Sequence, residues 1–166
     1  MANYSKGKIA IPSVTGNIVI NITAVQSVVP ITNLVDVYGV AEDSRVSSGG
    51  SISSATGYCV VGRDNTTNLI PISPGDVFRI KGGQWQNSED YNTAITRFRA
   101  LTKTVVDRFT MYAGHSGSGF SCVYDAENNI MTVTVPSTVS EGVYALLTIK
   151  GADTETLVIT KNEEIV

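Results

Sequence analysis

The chain has 166 residues, of which 42% are hydrophobic and only 16% charged, and its formal net charge is -3. This length suits one domain with a sizeable core, and the small negative charge excludes a general attraction to nucleic-acid phosphates. Because no stretch approaches the roughly 20 apolar residues of a membrane-spanning helix and none resembles a signal peptide, we expect no membrane insertion.

The N-terminal segment predicts two strands that form a hairpin. Residues 8–11 and 17–25 alternate apolar with polar positions on either side of a turn that contains Pro12. Two strands present one apolar face and nothing to cover it. We therefore interpret residues 1–29 as an arm for anchoring or oligomerisation, and residues 30–166 as the main domain. The arm side chains expected at the contact are Ile9, Ile11, Ile18, Ile20 and Ile22.

The main domain consists of short extended segments separated by polar turns. In residues 77–81, Phe78 and Ile80 alternate with charged residues, which is typical of a half-buried antiparallel strand. Residues 143–149 and 157–159 are apolar on both faces, which predicts central strands. Together the segments predict an all-β fold, a jelly-roll-like antiparallel β-sandwich. The predicted strands are residues 33–38, 58–61, 69–72, 77–81, 94–101, 108–112, 120–124, 130–135, 143–150 and 156–161.

Turns and long connections complete this outline. Ser73-Pro-Gly-Asp76 has the residue order of a type II turn. The long polar connections are residues 42–56, 82–92 and 113–119, and binding residues are expected to lie in them.

Two cysteines, Cys59 and Cys122, lie in predicted strands. For a protein made in the cytosol, two buried thiols are expected in preference to a disulfide.

Four phrases of the sequence resemble a known group of proteins. Residues 4–25 resemble the closing hairpin of the immunoglobulin-like repeats in tail and other surface proteins of phages that infect Firmicutes and related gut bacteria. Residues 69–82, 124–136 and 157–165 look like the C-terminal sandwich domain that follows such repeats in phage tail and baseplate-associated proteins. The resemblance implies a virion protein, made in the host cytoplasm and displayed on the particle. It also implies assembly with other virion proteins and as a homotrimer, since phage fibres and tail tips commonly have threefold symmetry.

No constellation of residues indicates catalysis. The lone His115 lies in a glycine-rich stretch beside Ser116, and adjacent residues of an extended chain point in opposite directions, so a Ser-His pair is disfavoured. One histidine and two separated cysteines do not form a zinc site. We expect no enzymatic activity, no cofactor and no metal, with a calcium ion held by loop oxygens as the alternative left open.

Carbohydrate binding requires an exposed aromatic face with a few polar side chains around it. Trp85 lies among such residues. The favoured interpretation of its ring is that it folds back to close one end of the core, and the alternative is that it stacks on a sugar. The ligand-binding residues predicted for a host or mucosal glycan are Trp85, Tyr91, Gln84, Gln86, Asn87 and Asp90, with Tyr112 and His115 as a second group.

The sequence thus favours a phage surface structural protein for display and adhesion to carbohydrate. The alternatives are a capsid decoration or head fibre protein without a ligand, and a non-catalytic carbohydrate-binding module of a bacterial enzyme.

Overall fold

The computed structural model describes residues 3–5, 8–10, 31–62, 69–85, 92–99, 104–138 and 143–165. They contain one short helix, α1 Leu34–Tyr38. The strands are β1 Asn3–Ser5, β2 Lys8–Ala10, β3 Val40–Val46, β4 Ile52–Val61, β5 Ile70–Pro71, β6 Val77–Lys81, β7 Ala94–Arg99, β8 Val105–Thr110, β9 Ser116–Gly117, β10 Phe120–Asp125, β11 Ile130–Thr134, β12 Val143–Lys150 and β13 Val158–Lys161. No helix in these ranges is long and apolar enough to span a bilayer.

Two antiparallel sheets form the main domain. One has five strands in the order β13-β6-β11-β10-β9, and the other has the order β3-β4-β12-β7-β8, with β5 also paired to β12. Some consecutive strands form hairpins within one sheet, such as β3 and β4, whereas the chain passes from one sheet to the other between β5 and β6 and between β11 and β12. The predicted all-β antiparallel sandwich is therefore confirmed.

The core lies between the two sheets and follows the alternation seen in the sequence. Phe78 and Ile80 of β6 are fully buried, while Arg79 between them is only partly buried. From the opposite sheet, Leu147 and Ile149 of β12 join the same cluster. Because β12 lies between β4 and β7, the prediction that residues 143–149 form a central strand is confirmed.

The prediction of a strand at residues 33–38 is wrong, since α1 occupies this segment. The Asn33 side chain accepts a hydrogen bond from Val35 N at 3.2 Å and so caps the first turn, which overrides the β propensity of the valines. Leu34 and Val35 are buried against the core.

The prediction of a central strand at residues 157–159 is also wrong, because β13 is an edge strand. The strand is apolar for another reason. Asn33 and α1 cover the edge of β13 that is not paired with β6. Asn33 Nδ2 donates to Leu157 O at 3.0 Å, and its Oδ1 accepts from Ile159 N at 3.0 Å. The amide thus takes the place of a neighbouring strand, which leaves this edge protected from further pairing.

The polar segment 42–56 was expected to be a loop but forms most of the β3–β4 hairpin. Its tip lies on the outer face of the six-stranded sheet, where Val46 N donates to Thr148 Oγ1 at 3.1 Å. A second, smaller apolar cluster is buried under it, which the sequence pattern did not reveal because most of residues 42–56 are Ser or Gly. The buried members of this cluster are Val46, Val60, Leu69, Phe98 and Leu146.

We expect Gly50→Ala at this tip to lower the free energy of unfolding by about 2–4 kcal/mol. Gly50 has φ of +86°, and a Cβ atom there would lie 2.6 Å from both Phe98 Cε1 and Val105 Cγ2. Gly57 is a matched control, because it has φ of +79° but open space around the Cβ position. Gly57→Ala should cost only about 1 kcal/mol in urea unfolding, for backbone strain alone. Equal costs for the two variants would contradict the close packing of the tip.

Cys59 on β4 and Cys122 on β10 are free and buried, as predicted. Burial is the main reason that their pKa values are raised from 9.0 to about 12 for Cys59 and about 11 for Cys122.

Both thiols should therefore resist a disulfide reagent at pH 8 in the native protein and react fully once it is unfolded in guanidinium. The native state holds the thiol protons more tightly than the unfolded state. The free energy of unfolding should accordingly be unaffected by these groups below pH 9 and should decline as the pH rises from 9 towards 12. Rapid labelling of either cysteine without unfolding would show that the sheets open locally.

The N-terminal strands β1 and β2 form a separate two-stranded sheet, in which Tyr4 is paired with Ile9. Within the described ranges, neither strand pairs with the sandwich. The second strand predicted for the arm, residues 17–25, lies outside the described residues, as do Ile11, Ile18, Ile20 and Ile22.

Candidate functional site

The segment at Trp85 and the loop after β8 meet at one end of the sandwich. Ala113 N donates to Trp85 O at 3.0 Å, and Met111 N donates to Thr93 O at 2.8 Å. Trp85, from the first predicted glycan site, is therefore a neighbour in space of the loop that carries Tyr112 and His115. This adjacency joins positions more than 25 residues apart, so no local sequence pattern could have indicated it.

Trp85 does not present an aromatic face to solvent, because its side chain is only 1% exposed and belongs to the main core. Gly83 permits this placement: a Cβ atom at that position would lie 2.4 Å from Trp85 Cζ2 and 2.8 Å from Ile149 Cγ2. The prediction of Trp85 as an exposed sugar-stacking residue is thus corrected. The ring fills the end of the core, as in the interpretation that the sequence favoured for this side chain.

Of the polar residues around Trp85, the structure describes Gln84. It is exposed, its backbone N donates to Lys150 O at 3.0 Å, and its side chain lies close to Gly151. Gln84 therefore stays available to a ligand at this end of the sandwich. The predicted residues Gln86, Asn87, Asp90 and Tyr91 lie outside the described residues.

Tyr112 and His115 belong to a column of stacked rings. The ring of Tyr112 lies 4.2 Å from that of His115, with an angle of 9° between the planes. His115 stacks on Phe109 at 4.7 Å, and Phe109 stacks on Phe120 at 4.7 Å. Phe109 and Phe120 are buried, whereas Tyr112 and His115 are half-buried, so the column runs from the core to the surface.

Charged groups hold the inner end of the column. The guanidinium carbon of Arg97 lies 4.8 Å from the centre of the Phe120 ring, at a distance suited to a cation–π contact. Arg97 is 7% exposed and binds Asp107 through two hydrogen bonds, one of them from Nε to Oδ1 at 2.6 Å. This bidentate pair satisfies the hydrogen-bonding groups of the buried cation. Arg97 is therefore held in a fixed position against the Phe120 ring at the inner end of the column.

His115 is held in one orientation. Its Nδ1 lies 2.6 Å from Thr110 O, and because a carbonyl oxygen only accepts, Nδ1 carries a proton and donates. The backbone of the same residue is fixed as well, since Cys122 N donates to His115 O at 2.8 Å. At the surface end, the site therefore offers a half-buried tyrosine ring and a histidine, with the exposed Gln84 on the neighbouring segment. These residue types are suited to hydrogen-bonding and packing against a sugar.

The sequence found Tyr112 and His115 but missed Phe109 and Phe120, which support them. The sequence pattern could have indicated that both phenylalanines are buried, since each occupies an inward-facing position of a strand, Phe109 in β8 and Phe120 in β10. The stacking itself crosses between the two sheets and depends on the fold.

Among the described residues, no group of three or more His, Cys, Asp or Glu side chains is placed to hold a metal ion. Comparisons with protein-family models, with curated proteins and with solved structures find no match for this chain.

Proposed function

We propose that the protein is a structural protein of the phage virion surface, whose sandwich is displayed for adhesion to carbohydrate and whose N-terminal arm attaches it to sister subunits or other virion proteins. The observation that carries this proposal is the β1–β2 sheet, which pairs with no other strand in the part of the chain that the structure describes. A two-stranded sheet is at most marginally stable in water, so it requires a surface to pack on. The apolar pattern of residues 17–25 adds to this requirement.

The displayed end of the sandwich supports the adhesion part of the proposal. Tyr112 and His115 reach the surface on a rigid support, with the exposed Gln84 on the neighbouring segment. A rigid site loses little conformational entropy on binding, which raises its affinity for a glycan. Trimeric assembly would multiply such contacts through avidity.

The arm is tested by measuring the mass of the full chain in solution. At micromolar concentration, light scattering should give a trimer, and Ile18→Asp with Ile20→Asp should give a folded monomer, because charges on the apolar face prevent its burial. Asn21→Asp is the matched control on a polar position of the same segment and should leave the trimer intact. A monomeric wild-type chain would overturn this assembly.

A second candidate function is capsid decoration without a ligand. The burial of Trp85 favours it, because the strongest sequence signal for sugar binding is a core residue. Glycan-array and host-cell binding separate the two functions. Binding that is weakened by Tyr112→Ala supports adhesion, whereas an assembled protein that binds no glycan and no cell supports decoration.

A further inference from the structure

A pocket of about 280 Å³ opens on the outer face of the five-stranded sheet, away from the aromatic column. Its floor consists of two neighbouring strands, with Arg79 of β6 opposite Thr132 of β11 and Lys81 opposite Ile130. The turn after β10 and the C-terminal segment form its walls, through Asp125, Asn128, Glu164 and Ile165. We propose that this pocket binds a single acidic monosaccharide unit, a uronic or sialic acid, and that Arg79 and Lys81 bind its carboxylate.

The position of Arg79 makes it a fixed cation. Its neighbours on β6, Phe78 and Ile80, are fully buried on the opposite face, so the arginine projects outward from the middle of a rigid sheet. Its side chain is only 20% exposed, and Nη1 donates to Glu163 O at 3.2 Å. Ordered in this way, the guanidinium can bind a carboxylate with little loss of side-chain entropy.

Arg79 already binds a carboxylate from the chain itself. Its Nη2 pairs with Glu164 Oε1, and the Glu164 side chain is 76% exposed. Exposed ion pairs contribute little to stability, so the Glu164 carboxylate can leave when another carboxylate takes its place. The pair with Glu164 shows that the space beside the Arg79 guanidinium is large enough for a carboxylate.

Lys81 provides a second cation on the same face, two residues along the strand and roughly 7 Å away. It is exposed, and within the described ranges it forms no ion pair. Asp125 stands on the other side of the pocket, where hydrogen bonds from Asn128 and Glu127 lower its pKa and keep it ionised. Its negative charge disfavours polyanions, so the pocket suits a ligand with one negative charge.

The remaining surfaces fit the rest of a sugar acid. The Thr132 hydroxyl and the Asn128 amide oxygen can hydrogen-bond to ring hydroxyls, and Ile130 and Ile165 offer apolar contact to a ring face. The volume lies just below the usual range of roughly 300–1,000 Å³ for ligand pockets, which indicates one sugar unit and not a longer chain.

The inference deepens the adhesion part of the proposed function and rests on it, but its test is independent of the arm. The full chain, labelled with ¹⁵N, is titrated with methyl β-glucuronide and with a methyl sialoside, and methyl β-glucoside serves as the neutral control. We expect amide shifts at Arg79, Lys81 and Thr132 with one of the acids, at a Kd in the range of about 1–10 mM, and none with the glucoside.

Two variants make the test specific. Glu164→Gln should tighten binding roughly two- to fivefold, because the competing carboxylate is removed, and Lys81→Gln should weaken it by a similar factor. Glu155→Gln removes an exposed carboxylate outside the pocket and should change nothing.

The proposal is overturned if neither acid shifts these amides at about 20 mM, if the glucoside binds equally well, or if Glu164→Gln leaves the affinity unchanged. If the chain is a trimer but neither acid binds, only the proposed acidic-sugar site is contradicted. If the wild-type chain is a monomer but still binds one of the acids, only the proposed assembly through the arm is contradicted.

Discussion

Replacing Trp85 by alanine is expected to lower the free energy of unfolding by about 3–5 kcal/mol, a large share of the stability of a domain of this size. The side chain is 1% exposed and is among the largest fully buried groups, and the surrounding strands can collapse only partly into the space it leaves. Urea unfolding followed by far-UV circular dichroism measures the loss. Trp85 is the only tryptophan of the chain, so its replacement removes the tryptophan fluorescence signal, and circular dichroism is the suitable probe.

The matched control is Trp85→Phe. The indole Nε1 is buried and has no hydrogen-bond partner in the described structure, so phenylalanine forfeits no hydrogen bond and leaves only a smaller cavity. It should cost about 1–2 kcal/mol, well below the alanine variant. A loss under about 1 kcal/mol for Trp85→Ala would mean that the ring is not a core residue and would restore Trp85 as an exposed sugar contact.

The same burial changes how a binding experiment should be read. Because Trp85→Ala is expected to destabilise the end of the sandwich on which Tyr112 and His115 lie, lost glycan binding in that variant would not identify a contact residue. Tyr112→Ala is the better variant, since this ring is half-buried at the end of the column and stacks on His115, which is also half-buried.

The strands that the sequence predicted well are those with at least one face buried in the core. Residues 77–81 and 143–150 were placed at their observed boundaries, because alternation or continuous apolarity is a direct consequence of facing a core on one side or both. For residues 130–135 and 120–124 the ends differ from β11 and β10 by one residue.

The errors occur where a long-range contact decides the local structure. Residues 33–38 have the valines of a strand but form α1, because Asn33 is tied both to the helix and to β13. Residues 157–159 are apolar like a central strand, yet their cover is a helix and an amide and not another strand. Residues 42–56 look like a loop because the outer cluster they cover lies far away in sequence.

The candidate site shows the same division. The sequence identified residue types suited to sugars but could not show which of them reach the surface. Trp85 is buried and Tyr112 is half-buried, and this difference depends on how the strands around them pack. The pocket at Arg79 was missed altogether, because alternation on β6 indicates an outward arginine without indicating what lies beside it.

Asn33→Ala is expected to lower the free energy of unfolding by about 2–3 kcal/mol, although the residue is only partly buried. One amide makes three hydrogen bonds: Oδ1 accepts from Val35 N and Ile159 N, and Nδ2 donates to Leu157 O. Alanine would remove the helix cap and leave the groups at the edge of β13 without partners. Urea unfolding measures the loss, and β13 amides should also exchange faster with deuterium.

Asn33→Asp separates the two roles of this side chain. Aspartate keeps both acceptor bonds but cannot donate to Leu157 O, so the helix cap persists while the edge of β13 loses one bond. The variant should lose roughly half as much stability as alanine, about 1–1.5 kcal/mol. If aspartate were as costly as alanine, loss of the donor bond and repulsion between the carboxylate and Leu157 O would outweigh the two acceptor bonds that it keeps. If aspartate cost nothing, the bond from Nδ2 to Leu157 O would be dispensable, and the closed edge of the sheet would depend on the bond from Ile159 N and on the packing of Leu34 and Val35.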